Sequence, residues 1–255
     1  MNDEFYIGWE KQAPPTFSRR TKAAVALIVL LASGGSLLLA FNQRLIGDAV
    51  FEWNREREFA GVFRAKPAPH LVTEADDGST TTHLLVAPWK FGLDRDAARE
   101  FDGRQVSLAG RVIRRRDQSM IEVQPQSLSA IGPNTGAPAT AASATSAGAG
   151  RRTLRGEIVD SKCWLGVMNP GRLATHRGCA VRCLSGGVPP ILLVQYEGGR
   201  TEHYLLVGSD GRALNREILD FVAEPVTITG EVARQGDLLV LRAEPGDIAR
   251  LERKH

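Results

Sequence analysis

The chain has 255 residues, which is enough for one or two small domains, and its 32 basic side chains nearly balance its 29 acidic ones. A net charge of +3 provides no overall field that would attract nucleic acid or an acidic partner. Three cysteines are too few for a scaffold built on disulfides, whereas aliphatic residues are frequent enough for ordinary small cores.

An uncharged segment near the N-terminus predicts a membrane-spanning helix. Residues 23–41 contain no charged side chain, and at about 1.5 Å of rise per residue they reach roughly the thickness of the bilayer hydrocarbon. Three basic side chains lie within residues 19–22, whereas Arg44 alone follows the segment closely. The positive-inside rule therefore predicts that residues 1–22 form a cytoplasmic tail and that the rest lies outside the cytoplasm. A cleaved signal peptide is the alternative, but the apolar run is longer than a normal signal core.

Two halves of the remaining sequence repeat one pattern. Residues 82–86 resemble residues 203–207, and residues 106–112 resemble residues 226–232. Each half orders its elements as three strands, a helix and two strands, and the helix of the first half is expected over residues 94–101. This is the element order of an OB-type barrel. We therefore predict a mainly β fold with two tandem OB-like barrels, and a pair of small β-sandwiches is the alternative.

Changes in composition set the expected domain boundaries. Residues 42–60 are predicted to form a stalk, whose mixed charges suit a short exposed helix, and residues 61–131 the first OB-like domain. Residues 132–150 are rich in Pro, Ala, Thr, Ser and Gly and are expected to form a flexible linker. Residues 151–255 then form the second OB-like domain.

The second half is longer than the first by about 26 residues near its first strand. This insertion, residues 160–190, contains every cysteine of the chain, namely Cys163, Cys179 and Cys183, together with His176. A protein that confines all its sulfur ligands to one segment is expected to use that segment as a local clamp.

Three interpretations of this clamp remain open. Three thiolates and one imidazole make a tetrahedral ligand set for Zn²⁺, and soft thiolates also hold Cu(I). Alternatively, Cys163 forms a disulfide with Cys179 or Cys183 in an oxidising compartment and one thiol is left over. In the third interpretation Cys179 and Cys183, four residues apart on one helix face, form a redox-active pair. Asp160 is expected to end a strand or cap a turn, or else to accept a hydrogen bond from a ligand.

Three short motifs define the insertion: Asp160-Ser161-Lys162-Cys163, His176-x2-Cys179-x3-Cys183 and Gly186-Gly187-x-Pro189. Together they resemble a group of small exported bacterial domains whose members are largely uncharacterised. The resemblance covers about 100 residues of the second half. It implies export in a bacterium and an OB-like barrel, and it implies no known activity. Because the first half lacks every cysteine, any cysteine-dependent role belongs to the second half.

A basic cluster lies near the predicted tip of a hairpin in the first domain. It consists of Arg111, Arg114, Arg115 and Arg116. A solvated turn accounts for such a cluster. Contact with anionic lipid headgroups is the alternative, because this domain is the one nearest the membrane segment.

The sequence contains no phosphate-binding glycine loop, nucleophile elbow or catalytic triad, so nothing in it indicates a hydrolase or a nucleotide enzyme. Aromatic residues are too few for the base stacking expected of a nucleic-acid-binding barrel. We expect a non-enzymatic binding or accessory protein in the bacterial cytoplasmic membrane, with periplasmic domains and another membrane or periplasmic protein as its partner. The alternative is a thiol-disulfide or metal-carrying subunit of a membrane oxidoreductase. Zinc and copper are the candidate cofactors, and a protein without a cofactor is equally compatible with the sequence.

Overall fold

The computed structural model describes residues 13–44, 49–131 and 150–251. The described residues fall into two compact units, one containing the N-terminal helix and one containing both β-domains. The predicted linker falls almost wholly outside the described residues, since only its last residue, Gly150, is among them.

The N-terminal unit is a single helix, α1 (Pro15–Arg44). Its candidate membrane span, Pro15–Asn42, has a mean hydropathy of 2.4 in its most apolar window, and none of that window is buried against protein. By length and composition the helix could therefore cross a membrane, in agreement with the segment predicted over residues 23–41. Of the predicted cytoplasmic tail, residues 1–12 lie outside the described residues and residues 15–22 belong to α1.

The first β-domain is a closed barrel of five strands with a short sixth strand at its edge. Its elements are β1 (Ala49–Arg64), β2 (His70–Glu74), β3 (Thr80–Val86), α2 (Arg95–Arg99), β4 (Gln105–Arg115), β5 (Gln118–Val123) and β6 (Ser129–Ala130). The strand order is β1-β2-β3-β5-β4, and pairing of β4 with β1 closes the sheet. All pairs in the barrel are antiparallel except β3 with β5.

The second β-domain repeats this topology. Its strands are β7 (Gly150–Asp160), β8 (Pro190–Gln195), β9 (Thr201–Val207), β10 (Pro225–Gln235), β11 (Leu238–Arg242) and β12 (Ile248–Arg250), and α3 (Arg177–Ser185) lies between β7 and β8. The order β7-β8-β9-β11-β10 is closed by pairing of β10 with β7, and β9 is parallel to β11. Two tandem OB-like barrels are thus confirmed, and the closed sheets decide against the sandwich alternative.

The predicted helical stalk is wrong in its described part. β1 begins at Ala49, so the first barrel starts about twelve residues before the predicted boundary at residue 61. The charges that suggested a solvated helix belong to cross-strand pairs instead. Glu52 lies 3.9 Å from Arg114, and Glu56 lies 4.0 Å from Arg111 on the neighbouring strand β4. Opposite charges on paired strands stabilise a sheet. The composition of β1 alone does not show that β4 supplies the opposite charges.

One hydrophobic cluster crosses from the first barrel to the second, and we refer to it as the seam. Its members from the first barrel include Leu84, Val86, Ile113 and Met120, and those from the second include Val159, Cys163, Trp164, Cys183, Leu205 and Leu238. Two of the three cysteines are therefore core residues of the contact between the barrels. The insertion forms part of this contact, so the cysteines lie within reach of first-barrel residues.

Candidate thiolate site at the seam

The insertion places the cysteines by means of three short helical elements. The chain leaves β7 at Asp160, makes an irregular turn over Cys163–Val167, continues through a turn over Ala174–His176 and enters α3. Gly166 lies against the first barrel, since a Cβ atom there would lie 2.7 Å from the carbonyl oxygen of Val50. Only glycine permits this close approach of β1 to the turn that contains Cys163.

The three sulfur atoms converge without bonding to one another. Cys163 Sγ lies 3.8 Å from Cys179 Sγ and 3.9 Å from Cys183 Sγ, and all three atoms lie within 4.8 Å of one another. Cys179 and Cys183 are one turn apart on α3, so both project from the same face. A zinc–sulfur bond of about 2.3 Å implies an edge of about 3.8 Å in a tetrahedral thiolate complex, whereas a disulfide bond is about 2.05 Å long. The separations therefore suit a shared metal ion.

Asp160 connects the end of β7 to both neighbouring ligand candidates. Its buried carboxylate accepts the backbone N–H of Cys163 at 2.8 Å through Oδ1, and its Oδ2 lies 2.9 Å from His176 Nε2. Asp160 therefore ends the strand and accepts a hydrogen bond in the turn that follows, as expected, and its role beside a metal ligand stays a prediction. His176 forms a second close group with Asp160 and Cys163, and the structure does not bring it together with all three sulfurs.

The contact between Cys163 and Cys183 shifts the pKa values of the two thiols in opposite directions. A hydrogen bond with Cys163 lowers the pKa of Cys183 from its ordinary value. The same contact, together with burial, raises the pKa of Cys163. Of these two thiols, Cys183 is therefore the more easily deprotonated.

Lys90 is a site residue that the sequence analysis did not identify. It lies in the loop after β3 of the first barrel, and its Nζ donates to Cys179 Sγ at 2.8 Å and lies 3.9 Å from Cys183 Sγ. This hydrogen bond raises the pKa of the Lys90 amine above its ordinary value, so the residue is a cation beside the sulfurs. No sequence signal connects Lys90 with cysteines almost ninety positions further along the chain.

Lys162 was also missed, although it lies within the first motif of the insertion. Its side chain is almost completely buried and reaches from the second barrel into the first. Its Nζ lies 2.6 Å from Glu122 Oε2, and it donates to the carbonyl oxygens of Ala87 at 2.9 Å and Trp89 at 2.7 Å. The three bonds satisfy all three protons of the ammonium group. They also fix the loop that contains Lys90.

The glycine motif after α3 brings this loop against the helix. Gly92 N–H donates to the carbonyl oxygen of Gly186 at 3.0 Å. A Cβ atom on Gly186 would lie 2.1 Å from the carbonyl oxygen of Lys90, and one on Gly92 would lie 2.1 Å from that of Gly187. Because no side chain fits in this contact, the glycines determine how closely Lys90 approaches the thiols.

The predicted basic cluster is largely engaged within the protein. Arg115 stacks over the Trp164 ring at 4.0 Å and donates to the Trp164 carbonyl oxygen at 2.7 Å, so it belongs to the seam. Arg111 lies over the Trp53 ring and 3.6 Å from Glu122, and Arg114 lies near an acidic residue of β1. Arg116 has a positive φ of 54° in the turn between β4 and β5. Contact of these residues with lipid headgroups stays a prediction.

Comparison with known proteins identifies no family for this chain. No protein-family model matches the chain, and no curated protein matches it. Among solved structures, the chain is similar to a deletion mutant of the single-stranded DNA binding protein from Thermus aquaticus, with 10% sequence identity and a TM-score of 0.24. The match covers 78% of this chain and 83% of that one. A likeness at this level carries no argument about function.

Proposed function

We propose that the protein is a membrane-anchored, extracytoplasmic metal-binding protein, in which Cys163, Cys179 and Cys183 hold one soft metal ion. The observation that carries this proposal is the spacing of the unbonded sulfurs, 3.8 and 3.9 Å from Cys163. Thiolate ligands select Zn²⁺ or Cu(I) among common metal ions. With three protein sulfurs, the fourth position of a tetrahedral ion remains for water or for a ligand from a partner.

The charges around the cluster favour Zn²⁺ as the first candidate. Three thiolates, one divalent ion and the ammonium of Lys90, which lies 2.8 Å from Cys179, sum to zero charge. Cu(I) in the same place would leave one negative charge. Two of the sulfurs belong to residues that are at most 2% exposed, where an unbalanced charge is costly. The Asp160 carboxylate lies outside this sum, since it faces His176 Nε2 at 2.9 Å and the backbone N–H of Cys163 at 2.8 Å.

The proposed compartment and role follow from the N-terminal helix. The basic residues within positions 19–22 favour a cytoplasmic N-terminus, which would place both barrels outside. A metal site on an anchored accessory protein is positioned to supply or receive its ion at the membrane surface. We therefore propose another membrane or periplasmic protein as the partner. Protease added to intact spheroplasts should digest the barrels, and protection of the barrels would contradict this orientation.

A thiol-disulfide role is the second candidate, and the contact of Lys90 with Cys179 favours it. Cys179 is partly exposed, and an ammonium group lies 2.8 Å from its sulfur, which is the kind of electropositive surroundings typical of reactive cysteines. Cys179 would attack a partner's disulfide and release one partner thiol, and Cys183, one turn away, would then release the second and leave a Cys179–Cys183 disulfide. A separate dithiol protein would reduce this disulfide again, and in this role the protein would bind metal weakly or not at all.

Metal analysis with thiol counting separates the two candidates. The full-length protein is purified in detergent without chelators, its metal content is measured, and its thiols are titrated before and after chelation. We expect about one zinc or copper ion per chain and three titratable thiols after chelation. Cys183→Ser should lose the ion, whereas Ser185→Ala, an exposed change on the same helix, should retain it. Metal-free protein with one titratable thiol would overturn the metal proposal and leave a disulfide.

A further inference from the structure

Cys179 is the most solvent-accessible of the three cysteines. All three cysteines are described by the structure, and Cys179 is the one whose side chain is partly exposed, while Cys163 and Cys183 are buried in the seam. A ligand that takes a metal ion from the cluster must first replace the most accessible sulfur. That sulfur accepts a hydrogen bond from Lys90 at 2.8 Å, so the lysine occupies the approach to it.

The loop that presents Lys90 is held from the second barrel. The ammonium of Lys162 binds the carbonyl oxygens of Ala87 and Trp89, which precede Lys90, and Gly92 beyond it is bound to Gly186. Trp89 has a φ of 62°, which is unfavourable for a residue with a side chain, and its side chain is 78% exposed. Packing of the Trp89 side chain therefore does not maintain this backbone conformation. The hydrogen bonds from Lys162 and Gly92 described above maintain it instead.

We infer that Lys90, supplied by the first barrel, controls exchange of the metal ion at the thiolate site, and that Lys162 is the residue that positions it. This inference rests on the proposed metal-binding function and deepens it. Lys90 covers Cys179 and engages a lone pair of its sulfur, so an incoming ligand gains access only when the lysine moves away. The first barrel thus regulates a site to which it contributes no sulfur.

The first test measures the rate at which metal leaves the protein. Zinc-loaded full-length protein in detergent is mixed with an excess of a chromogenic zinc chelator, and transfer is followed by absorbance. Lys90→Met should speed transfer by about tenfold or more, as expected for losing one charge-assisted hydrogen bond. Lys90→Arg, which retains a cationic donor, should restore most of the delay. Lys66→Met, at an exposed lysine of the same barrel, should transfer zinc at the wild-type rate.

The second test asks whether Lys162 acts through Lys90. Lys162→Met alone would leave buried Glu122 with only Arg111, 3.6 Å away, as its counter-charge, so the double variant Lys162→Met/Glu122→Leu removes both members of the pair together. It should speed zinc transfer about as much as Lys90→Met. Adding Lys90→Met to it should give no further acceleration, since both changes remove the same contact. Additive acceleration would overturn the positioning role.

The outcomes distinguish this inference from the proposal on which it rests. Wild-type protein that takes up no zinc would overturn the proposed function and the inference together. Zinc-loaded protein in which Lys90→Met transfers metal at the wild-type rate would overturn the inference alone. Faster transfer with Lys90→Met, reversed by Lys90→Arg and absent from Lys66→Met, would support both.

Discussion

Lys162 and Glu122 form an ion pair inside the contact between the two barrels, with a distance of 2.6 Å between Nζ and Oε2. Lys162 is 1% exposed and Glu122 is 5% exposed, and they belong to different barrels. A buried ion pair stabilises weakly relative to apolar residues of similar size, but the loss of one partner leaves a buried charge. Its main effect here is to fix β5 of the first barrel against the turn that follows β7 in the second.

This arrangement predicts strongly non-additive effects on stability. Lys162→Met and Glu122→Leu should each lower the free energy of unfolding by up to about 3 to 5 kcal/mol. The first leaves buried Glu122 with only Arg111, 3.6 Å away, as its counter-charge, and the second leaves the buried Lys162 ammonium with carbonyl oxygens alone. The double variant should be much closer to wild type than the sum of the two. Denaturant unfolding of the full-length protein in detergent measures all four free energies. Simple addition of the two losses would show that the pair is solvated.

Alanine substitutions at two glycines in or next to α3 should change the stability of the protein in opposite directions. Gly186→Ala should destabilise the protein by roughly 1 to 3 kcal/mol, because its Cβ would lie 2.1 Å from the Lys90 carbonyl oxygen. Gly178→Ala, inside α3, has no atom within 4 Å of its new Cβ and should stabilise by about 0.5 to 1 kcal/mol. Thermal unfolding of both variants checks the signs. Equal effects would mean that the loops of the two barrels do not touch at Gly186.

Replacement of Asp160 should lower the affinity for metal without removing a metal ligand. Asp160→Asn keeps the shape of the side chain but removes the negative charge that faces His176 and the Cys163 backbone N–H. Residues that orient metal ligands typically contribute about tenfold to a hundredfold in affinity. We therefore expect a rise of that size in the zinc dissociation constant, with unchanged stoichiometry, in a competition titration. Loss of the ion altogether would make Asp160 a ligand.

Acid should destabilise the contact between the barrels through His203. Burial lowers the pKa of His203 to about 4, and its ring is hydrogen-bonded to Gln118 of the first barrel. In the unfolded chain the imidazole of His203 would have its ordinary pKa of about 6.5. Below that pH the unfolded state therefore binds more protons than the folded state, and the free energy of unfolding falls as the pH drops from about 6.5 to about 4. The loss of unfolding free energy should reach up to about 3 kcal/mol near pH 4.

The matched variant for this effect is His203→Gln, which retains a hydrogen-bonding side chain but does not titrate. Its unfolding free energy should fall less steeply than that of wild type over the same pH range. Denaturant unfolding at several pH values measures the slope for both proteins. Parallel slopes would assign the acid sensitivity to other groups, such as His83 and His70, whose pKa values are also lowered by burial.

The order of the elements was largely predictable because it depends on local patterns, whereas the order of strands in each sheet was not. Val106, Leu108 and Val112 alternate toward the core of β4, and the matching residues of β10 do the same, so the repeat indicated the barrel twice. The part of β1 before residue 61 was missed because its charges pair with arginines on β4, some sixty residues further along the chain. A strand with its charged face outward resembles a solvated helix until its partner is known.

The site was predictable only in part, for a related reason. The three cysteines and Asp160 lie in one insertion, so their clustering could be inferred from the sequence. Lys90 and Glu122 belong to the half without cysteines, and they reach the insertion only because the barrels pack together. Such residues leave no local signal, since nothing in a single sequence reports a contact between separate domains. His176 accompanies the cysteines in sequence, but in the structure it lies close to Asp160 and Cys163 and not to all three sulfurs.

The double membership of Cys163 and Cys183, as ligand candidates and as core residues of the seam, couples two equilibria. An ion that bound the docked arrangement of the barrels more tightly than the undocked one would strengthen the contact between them as its concentration rose. By linkage, loss of such an ion would weaken that contact to the same extent.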